Sequence, residues 1–257
     1  MPLYSETYGH KNTTEMDRPV LVFLHGLLGS GRDWRQVVNC LSASYYCLTI
    51  DLPGHGHSQL LAPSDFEQVN QQIQQTLHHR NVRSYVLVGY SLGARLAMYH
   101  ACCSGSENQA NLAGLVLEGG HFGLLQSECA ARFANDQKWA QRFASEPLPQ
   151  VLADWYQQPV FSSLNHDQRQ SLIWKRSDNL GSGIARMLLA TSLAKQPELQ
   201  QKVGNLSFPV RYICGENDNK FKCLAENSGL ELTVIPTAGH NVHVELPHEF
   251  SMAVTHF

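Results

Sequence analysis

The chain has 257 residues, 43% of them hydrophobic, and its 19 basic against 22 acidic side chains give a net charge of -3. That length can bury one large core, so a single domain with an inserted subdomain is expected. The near-balance of charge supplies no general field for nucleic acid or an anionic membrane, and any preference for anions must come from local side chains.

Met1 to Pro19 is polar and carries Glu6, Lys11, Glu15 and Asp17, without the apolar stretch of an export signal. No segment reaches the ~20 apolar residues that a membrane span requires. A soluble, cytoplasmic protein is expected. Seven cysteines, an odd number with no Cys-x-x-Cys pair, lie in apolar surroundings and read as buried thiols of a reducing compartment.

Val20 to Leu24 is a continuous apolar run bounded by Pro19 and His25-Gly26, the pattern of a strand buried on both faces of a parallel sheet. Asp33 to Leu41 is helix-compatible, with Trp34, Val37, Val38 and Leu41 on one face. The run Tyr46 to Ile50 predicts a second strand, ending at the turn-rich Asp51-Leu52-Pro53-Gly54-His55-Gly56. Phe66, Val69, Ile73 and Leu77 predict a helix with Ser64 as its N-cap.

Ser84 to Arg95 then joins a β-branched and aromatic strand to an apolar helix, Leu92 to Cys102, through Gly89-Tyr90-Ser91-Leu92-Gly93. This is the layout of a nucleophile elbow. The serine is held in strained backbone over the sheet edge, and a Cβ at Gly89 or Gly93 would collide with the neighbouring strand and helix.

A strand from Gly114 to Glu118 follows, and strand runs resume only at Val210 to Cys214 and Leu232 to Ile235, before a final helix near Pro247. Between them lie helical windows at Cys129 to Phe143, Leu148 to Tyr156 and Ile184 to Leu193. The expected architecture is an α/β-hydrolase fold: a mostly parallel sheet flanked by helices, with an α-helical lid inserted before the last two strands. Its core would be 1–121 and 197–257, and its lid 122–196. Ligands bind at the carboxyl edge of such sheets, so the lid would cover the site.

A serine needs a histidine to activate it, and the histidine a carboxylate to fix its tautomer. Asp218 follows one late strand and His240 the next, in the chain order serine, acid, histidine. Glu216 is a near alternative for the acid and Glu118 a further one. His25 is expected to be structural, His55 and His57 lie in a turn, and His243 is free to face solvent. Backbone N–H groups of Leu27 and Leu92 are placed to hold an oxyanion. Gly26 to Arg32 has the glycine spacing of a phosphate loop but lacks its Lys-Ser/Thr. His240, His243 and Glu245 have no further ligand motif to make a metal site.

Arg95 lies four residues after Ser91, one turn down the same helical face. In the lid Arg132, Arg142, Arg169, Arg176 and Arg186 are balanced by Glu128, Asp136, Glu146, Asp154, Asp167 and Asp178, so most are expected in solvated pairs. Arg95 with one or two of the lid arginines would suit a small-molecule substrate with several carboxylates.

The elbow Gly-Tyr-Ser-Leu-Gly-Ala-Arg, Glu118-Gly119-Gly120-His121, the lid run Asp154 to Phe161 and Cys214-Gly215-Glu216 resemble the MenH family of menaquinone (vitamin K2) biosynthesis, and the similarity covers nearly the whole chain. These are 2-succinyl-6-hydroxy-2,4-cyclohexadiene-1-carboxylate synthases. The resemblance implies a lyase that eliminates pyruvate from 2-succinyl-5-enolpyruvyl-6-hydroxy-3-cyclohexene-1-carboxylate, with no cofactor and no metal. It also implies a Ser91, Asp218 and His240 triad, an oxyanion hole at Leu27 and Leu92, and substrate contacts from Tyr90, Arg95, Arg132, Trp155 and Arg176. Ala94 replaces the usual second glycine, and Phe122 stands where the family commonly has Pro. A carboxylester or thioester hydrolase working through an acyl-Ser91 is the alternative enzyme, and a ligand-binding receptor on the same fold is the alternative outside enzymes.

Overall fold

The computed structural model describes residues 1–10, 18–105 and 111–255. Lys11, Glu15 and Asp17 of the polar N-terminal stretch lie outside the described residues. Seven strands form one sheet: β1 (Ser5–Tyr8), β2 (Val20–Leu24), β3 (Cys47–Ile50), β4 (Tyr85–Tyr90), β5 (Leu112–Glu118), β6 (Val210–Gly215) and β7 (Glu231–Ile235). Their order is β1-β3-β2-β4-β5-β6-β7, parallel except for β1, which pairs antiparallel with β3. β1 escaped the sequence reading because an edge strand of four residues, Ser-Glu-Thr-Tyr, presents no apolar run.

The continuous apolar run of β2 is explained by the two cores it serves. Val20, Val22 and Leu24 pack on one face of the sheet with α2 (Phe66–His79) and α3 (Leu92–Cys103). Leu21 and Phe23 pack on the other with α1 (Arg35–Leu41) and the last helix. The N-cap of α2 is Asp65 rather than Ser64: its carboxylate accepts the Gln68 N–H at 2.8 Å, and the Ser64 hydroxyl donates to it. A carboxylate is the stronger acceptor at the positive end of a helix.

Between β5 and β6 the chain forms α4 (Gln126–Ser145), α5 (Leu148–Trp155), α6 (His166–Arg176), α7 (Gly181–Ala190) and the short α8 (Gln200–Gly204). The first four helices carry their own cluster, in which Phe143, Val151, Leu152, Ile184 and Leu188 close around Leu28 from the loop after β2. Leu199 N–H donates to the Phe122 carbonyl at 2.8 Å and closes the neck of this insertion. α6 lies outside the helical windows of the sequence because it buries only Leu172 and so shows no apolar stripe. After β6 come α9 (Asn219–Glu226), and after β7 α10 (Val242–Glu245) and α11 (Pro247–Thr255).

The cysteines divide. Cys47 and Cys214 are buried as expected, whereas Cys40 and Cys223 are exposed on helix surfaces. Among the described residues no helix is long and apolar enough to cross a membrane.

Candidate active site

The parallel register brings the carboxyl ends of the strands level. Leu24 lies opposite Gly89, Tyr90 opposite Glu118, Glu118 opposite Ile213, and Gly215 opposite Ile235. The segments that follow, from His25, Ser91, Gly119, Glu216 and Pro236, therefore emerge along one edge.

Ser91 occupies the turn between β4 and α3 at φ 51°, ψ -106°, a conformation that costs a non-glycine residue ~1–3 kcal/mol. The surroundings impose it. A Cβ on Gly89 would lie 2.5 Å from the Gly93 backbone, and one on Gly93 would lie 2.0 Å from the Leu24 carbonyl oxygen. Ser91 N–H donates to the Glu118 carbonyl at 2.7 Å, tying the elbow to β5. Ala94, fully buried, fits because its neighbour Gly120 has no side chain: a Cβ there would be 2.6 Å from the Ala94 methyl.

His240 Nδ1–H donates to Asp218 Oδ2 at 2.6 Å, and both side chains are buried. The imidazole lies against Gly119, where a Cβ would meet its Cε1 at 2.6 Å; Gly119 directly follows the residue whose carbonyl holds the Ser91 amide. Phe161 of the lid and Phe221 of α9 flank the ring at centroid distances of 6.2 and 4.8 Å. Glu216, weighed as an alternative acid, accepts the Thr237 N–H and points away from His240. Glu118 meets His243 instead: one of its carboxylate oxygens accepts the His243 Nδ1–H at 3.0 Å and the His243 backbone N–H at 3.1 Å. His243 is thus buried rather than solvent-facing, because it packs between Trp34 and Tyr90 with ring centroids 4.2 and 4.6 Å away.

Two buried histidines set the loop that presents Leu27. His25 Nε2 accepts the Leu52 N–H while its Nδ1–H donates to the Gly26 carbonyl. His55 Nε2 accepts the Leu28 N–H while its Nδ1–H donates to the Pro53 carbonyl. Only a neutral imidazole can both donate and accept. Burial enforces that state, lowering both histidines from the ordinary value and bringing His55 to about 3. Leu27 lies within this braced turn after β2, and Leu92 begins α3 directly after Ser91.

Arg95 and Arg132 converge on two consecutive residues of the lid. Arg95 Nη1 donates to the Thr191 carbonyl at 2.8 Å; Arg132 Nε donates to Asp136, whose other oxygen accepts from the Ser192 hydroxyl at 2.7 Å. Burial, and then the Arg132 guanidinium, press Arg95 down to about 9, with Asp136 opposing. His121 is lowered to about 4 by burial and then by Lys220, Arg95 and Arg132. Lys220, at the start of α9, is lowered by desolvation and by Arg132. Positive groups close enough to lower one another, beside the Asp136 carboxylate that pairs with Arg132, form a local positive patch of the kind a polyanionic ligand stabilises. His121 and Lys220 were not singled out from the sequence as members of this cluster. The one signal for Lys220 is its place two residues after Asp218.

The other expected contacts are engaged within the protein. Tyr90 sits 5.2 Å from the His240 ring centroid and 4.6 Å from that of His243, and its hydroxyl donates to Asn241 Oδ1. Trp155 packs half-buried against Trp139 and Phe143. Arg176 forms a two-point pair with Asp33 at 2.7 and 2.8 Å, so its charge is met by a carboxylate of the loop after β2. Arg142 pairs with Glu146 and Asp154 on the lid surface, as expected of the solvated pairs.

Residues 19–247 match the model of the α/β-hydrolase fold family. The 2-succinyl-6-hydroxy-2,4-cyclohexadiene-1-carboxylate synthase of Yersinia enterocolitica is 50% identical over 240 residues, 93% of this chain and 86% of that protein. The synthase of Serratia proteamaculans is 46% identical over 244 residues, 95% and 94% of the two chains. The structure of MenH from S. aureus superposes with a TM-score of 0.87 at 25% identity, covering 98% of this chain and 96% of that one. An esterase from Thermogutta terrifontis superposes at 0.81 with 20% identity, a likeness of fold. By sequence and fold alike, the chain belongs to the α/β-hydrolase fold family and, within it, to the 2-succinyl-6-hydroxy-2,4-cyclohexadiene-1-carboxylate synthases.

Proposed function

We propose that this chain eliminates pyruvate from 2-succinyl-5-enolpyruvyl-6-hydroxy-3-cyclohexene-1-carboxylate, with Ser91 as the proton-abstracting group. The observation that carries the reading is that Arg95, one helical turn below Ser91, donates to the Thr191 carbonyl while Arg132 is linked to the adjacent Ser192 through Asp136, which places the two guanidinium groups close enough for Arg132 to lower Arg95. A neutral ester has no use for two guanidinium groups there, whereas a substrate bearing several carboxylates pairs with them directly.

The ring proton beside the succinyl ketone is acidified by that ketone. His240, its tautomer fixed by Asp218, takes the Ser91 proton as the Ser91 oxygen takes the ring proton. The resulting enolate oxygen is stabilised by the Leu27 and Leu92 N–H groups. Collapse of the enolate shifts the ring double bond and breaks the carbon–oxygen bond to the enolpyruvyl group, which accepts a proton from His240 and leaves as pyruvate. Every step is a proton transfer or a carbon–oxygen cleavage, so the ring is neither oxidised nor reduced. The protein's own groups suffice for each step, and no acyl-enzyme forms.

The test offers the purified protein the cyclohexene substrate and, separately, simple esters. Formation of the conjugated diene, followed by its ultraviolet absorption, is expected with the first and is nearly abolished by Ser91→Ala. Undiminished turnover in that variant, or a covalent acyl-Ser91 trapped during turnover, would overturn the mechanism.

A further inference from the structure

Glu118 belongs to neither the triad nor the oxyanion donors, yet it touches both halves of the site. Its carbonyl accepts the Ser91 N–H at 2.7 Å. Its carboxylate, with the residue 0% exposed, holds His243 twice through one oxygen, which accepts the backbone N–H at 3.1 Å and the Nδ1–H at 3.0 Å. His243 lies three residues after His240, in the first turn of α10. One residue at the end of β5 therefore grips the elbow with its backbone and the base-bearing segment with its side chain.

Other contacts also hold that segment: Ala238 and Val242 are buried in the core on one face of the sheet, and the Ala238 carbonyl accepts the Asn217 N–H at 2.9 Å. Glu245 accepts the Gly239 and Asn241 N–H groups at 2.8 and 3.3 Å, but those bonds close within the segment itself. Asn241 receives the Tyr90 hydroxyl, a neutral contact. The Glu118 contact is the one in which a buried carboxylate from the sheet fixes the segment, and a hydrogen bond to a charged acceptor contributes more than a neutral one.

From this geometry we infer that Glu118 is a positioning residue of the elimination: it sets the placement of His240 relative to Ser91 by anchoring both. The inference rests on the reading of Ser91 and His240 as partners. Asp218 fixes the tautomer and rotation of the imidazole, while Glu118 and His243 fix where the ring's backbone stands.

The test measures kcat and KM, well below the melting temperature, in Glu118→Ala, Glu118→Gln and His243→Phe. His243→Phe keeps a ring against Trp34 and Tyr90 and removes only the side-chain hydrogen bond, so it stands in should Glu118→Ala fail to fold. In parallel, the rate of Ser91 phosphonylation by a fluorophosphonate is followed, since it reports serine–histidine alignment whatever the natural substrate. Misplacement of a reacting group by about an ångström costs as much as a hundredfold, so kcat and labelling rate are expected to fall together by about ten- to a hundredfold, with KM within threefold of wild type. Glu118→Gln retains an acceptor oxygen for His243 and is expected to recover most of both rates. Wild-type kcat and labelling in His243→Phe, or a change confined to KM, would overturn the inference. Failure of the lyase reading shows separately, as rapid labelling in the wild type without turnover of the cyclohexene.

Discussion

The Asp33 carboxylate meets the Arg176 guanidinium in a two-point contact, 2.7 and 2.8 Å, that ties the lid helix α6 to the loop after β2. Both side chains are nearly buried, 13% and 11% exposed, and the Asp33 acid is lowered by the arginine against the opposing effect of its own burial. Removing one partner strands the other charge. Asp33→Ala is therefore expected to cost about 3–5 kcal/mol, a fall in Tm of roughly 6–20 °C by differential scanning calorimetry. Asp33→Leu combined with Arg176→Met should recover most of that loss. Equal Tm values for the double variant and Asp33→Ala would refute this account.

Asp218→Asn keeps the shape of the acid and removes its charge. The amide can present its N–H to His240 Nδ1 and stabilise the wrong tautomer, so kcat is expected to fall by about 10³–10⁴ with little change in KM. Steady-state kinetics of diene formation decide it. A loss under tenfold would mean that Asp218 does not orient the base.

Arg95→Gln and Arg132→Gln each remove a cation that a substrate carboxylate would meet. Hydrogen bonds to charged groups contribute ~1.5–3 kcal/mol, so each variant is expected to raise KM by about ten- to a hundredfold. Added salt should raise KM of the wild type more steeply than that of either variant. Isothermal titration with the product separates binding from turnover. Unchanged affinity in both variants would remove the polycarboxylate argument.

His55 and His100 are neutral in the fold, lowered by burial to about 3 and about 4. His100 accepts from Tyr85 at Nε2 and donates to Asn70 from Nδ1. In the unfolded chain an exposed histidine titrates near 6.5, so below that pH the unfolded state binds more protons. Stability from these groups is fully present above about pH 6.5 and falls as the pH drops toward their folded values, by about 1.4 kcal/mol per unit for each. Urea midpoints measured from pH 7.5 to pH 5 are expected to decline, and less steeply in His100→Gln. A slope identical in that variant would show that His100 does not contribute.

A methyl group tests the elbow. Gly93→Ala would place its Cβ 2.0 Å from the Leu24 carbonyl oxygen, on backbone that cannot yield without parting α3 from β2. The variant is expected to lose fluorophosphonate labelling of Ser91 and to fold poorly, as judged by circular dichroism. Normal labelling would mean the turn tolerates a side chain.

The strands β2 to β7, the elbow and the order serine, acid, histidine were legible in the sequence. They rest on local patterns: apolar runs between turn residues, glycines two apart from a serine, and polar residues just past strand ends. β1 and α6 were not legible, because neither buries enough of its own surface to mark its period. Which acid faces His240 was decided by the turn after β6, which sends Asp218 inward and Glu216 out to Thr237. Only the fold could assign Arg176 to Asp33, 143 residues away, or His243 to Glu118, 125 residues away. The sequence by itself determined which chemistry the chain carries, since residue types and short spacings are local. The tertiary structure decided which charges pair and how deeply each is buried, because burial and distance between remote segments exist only once the sheet and lid have closed.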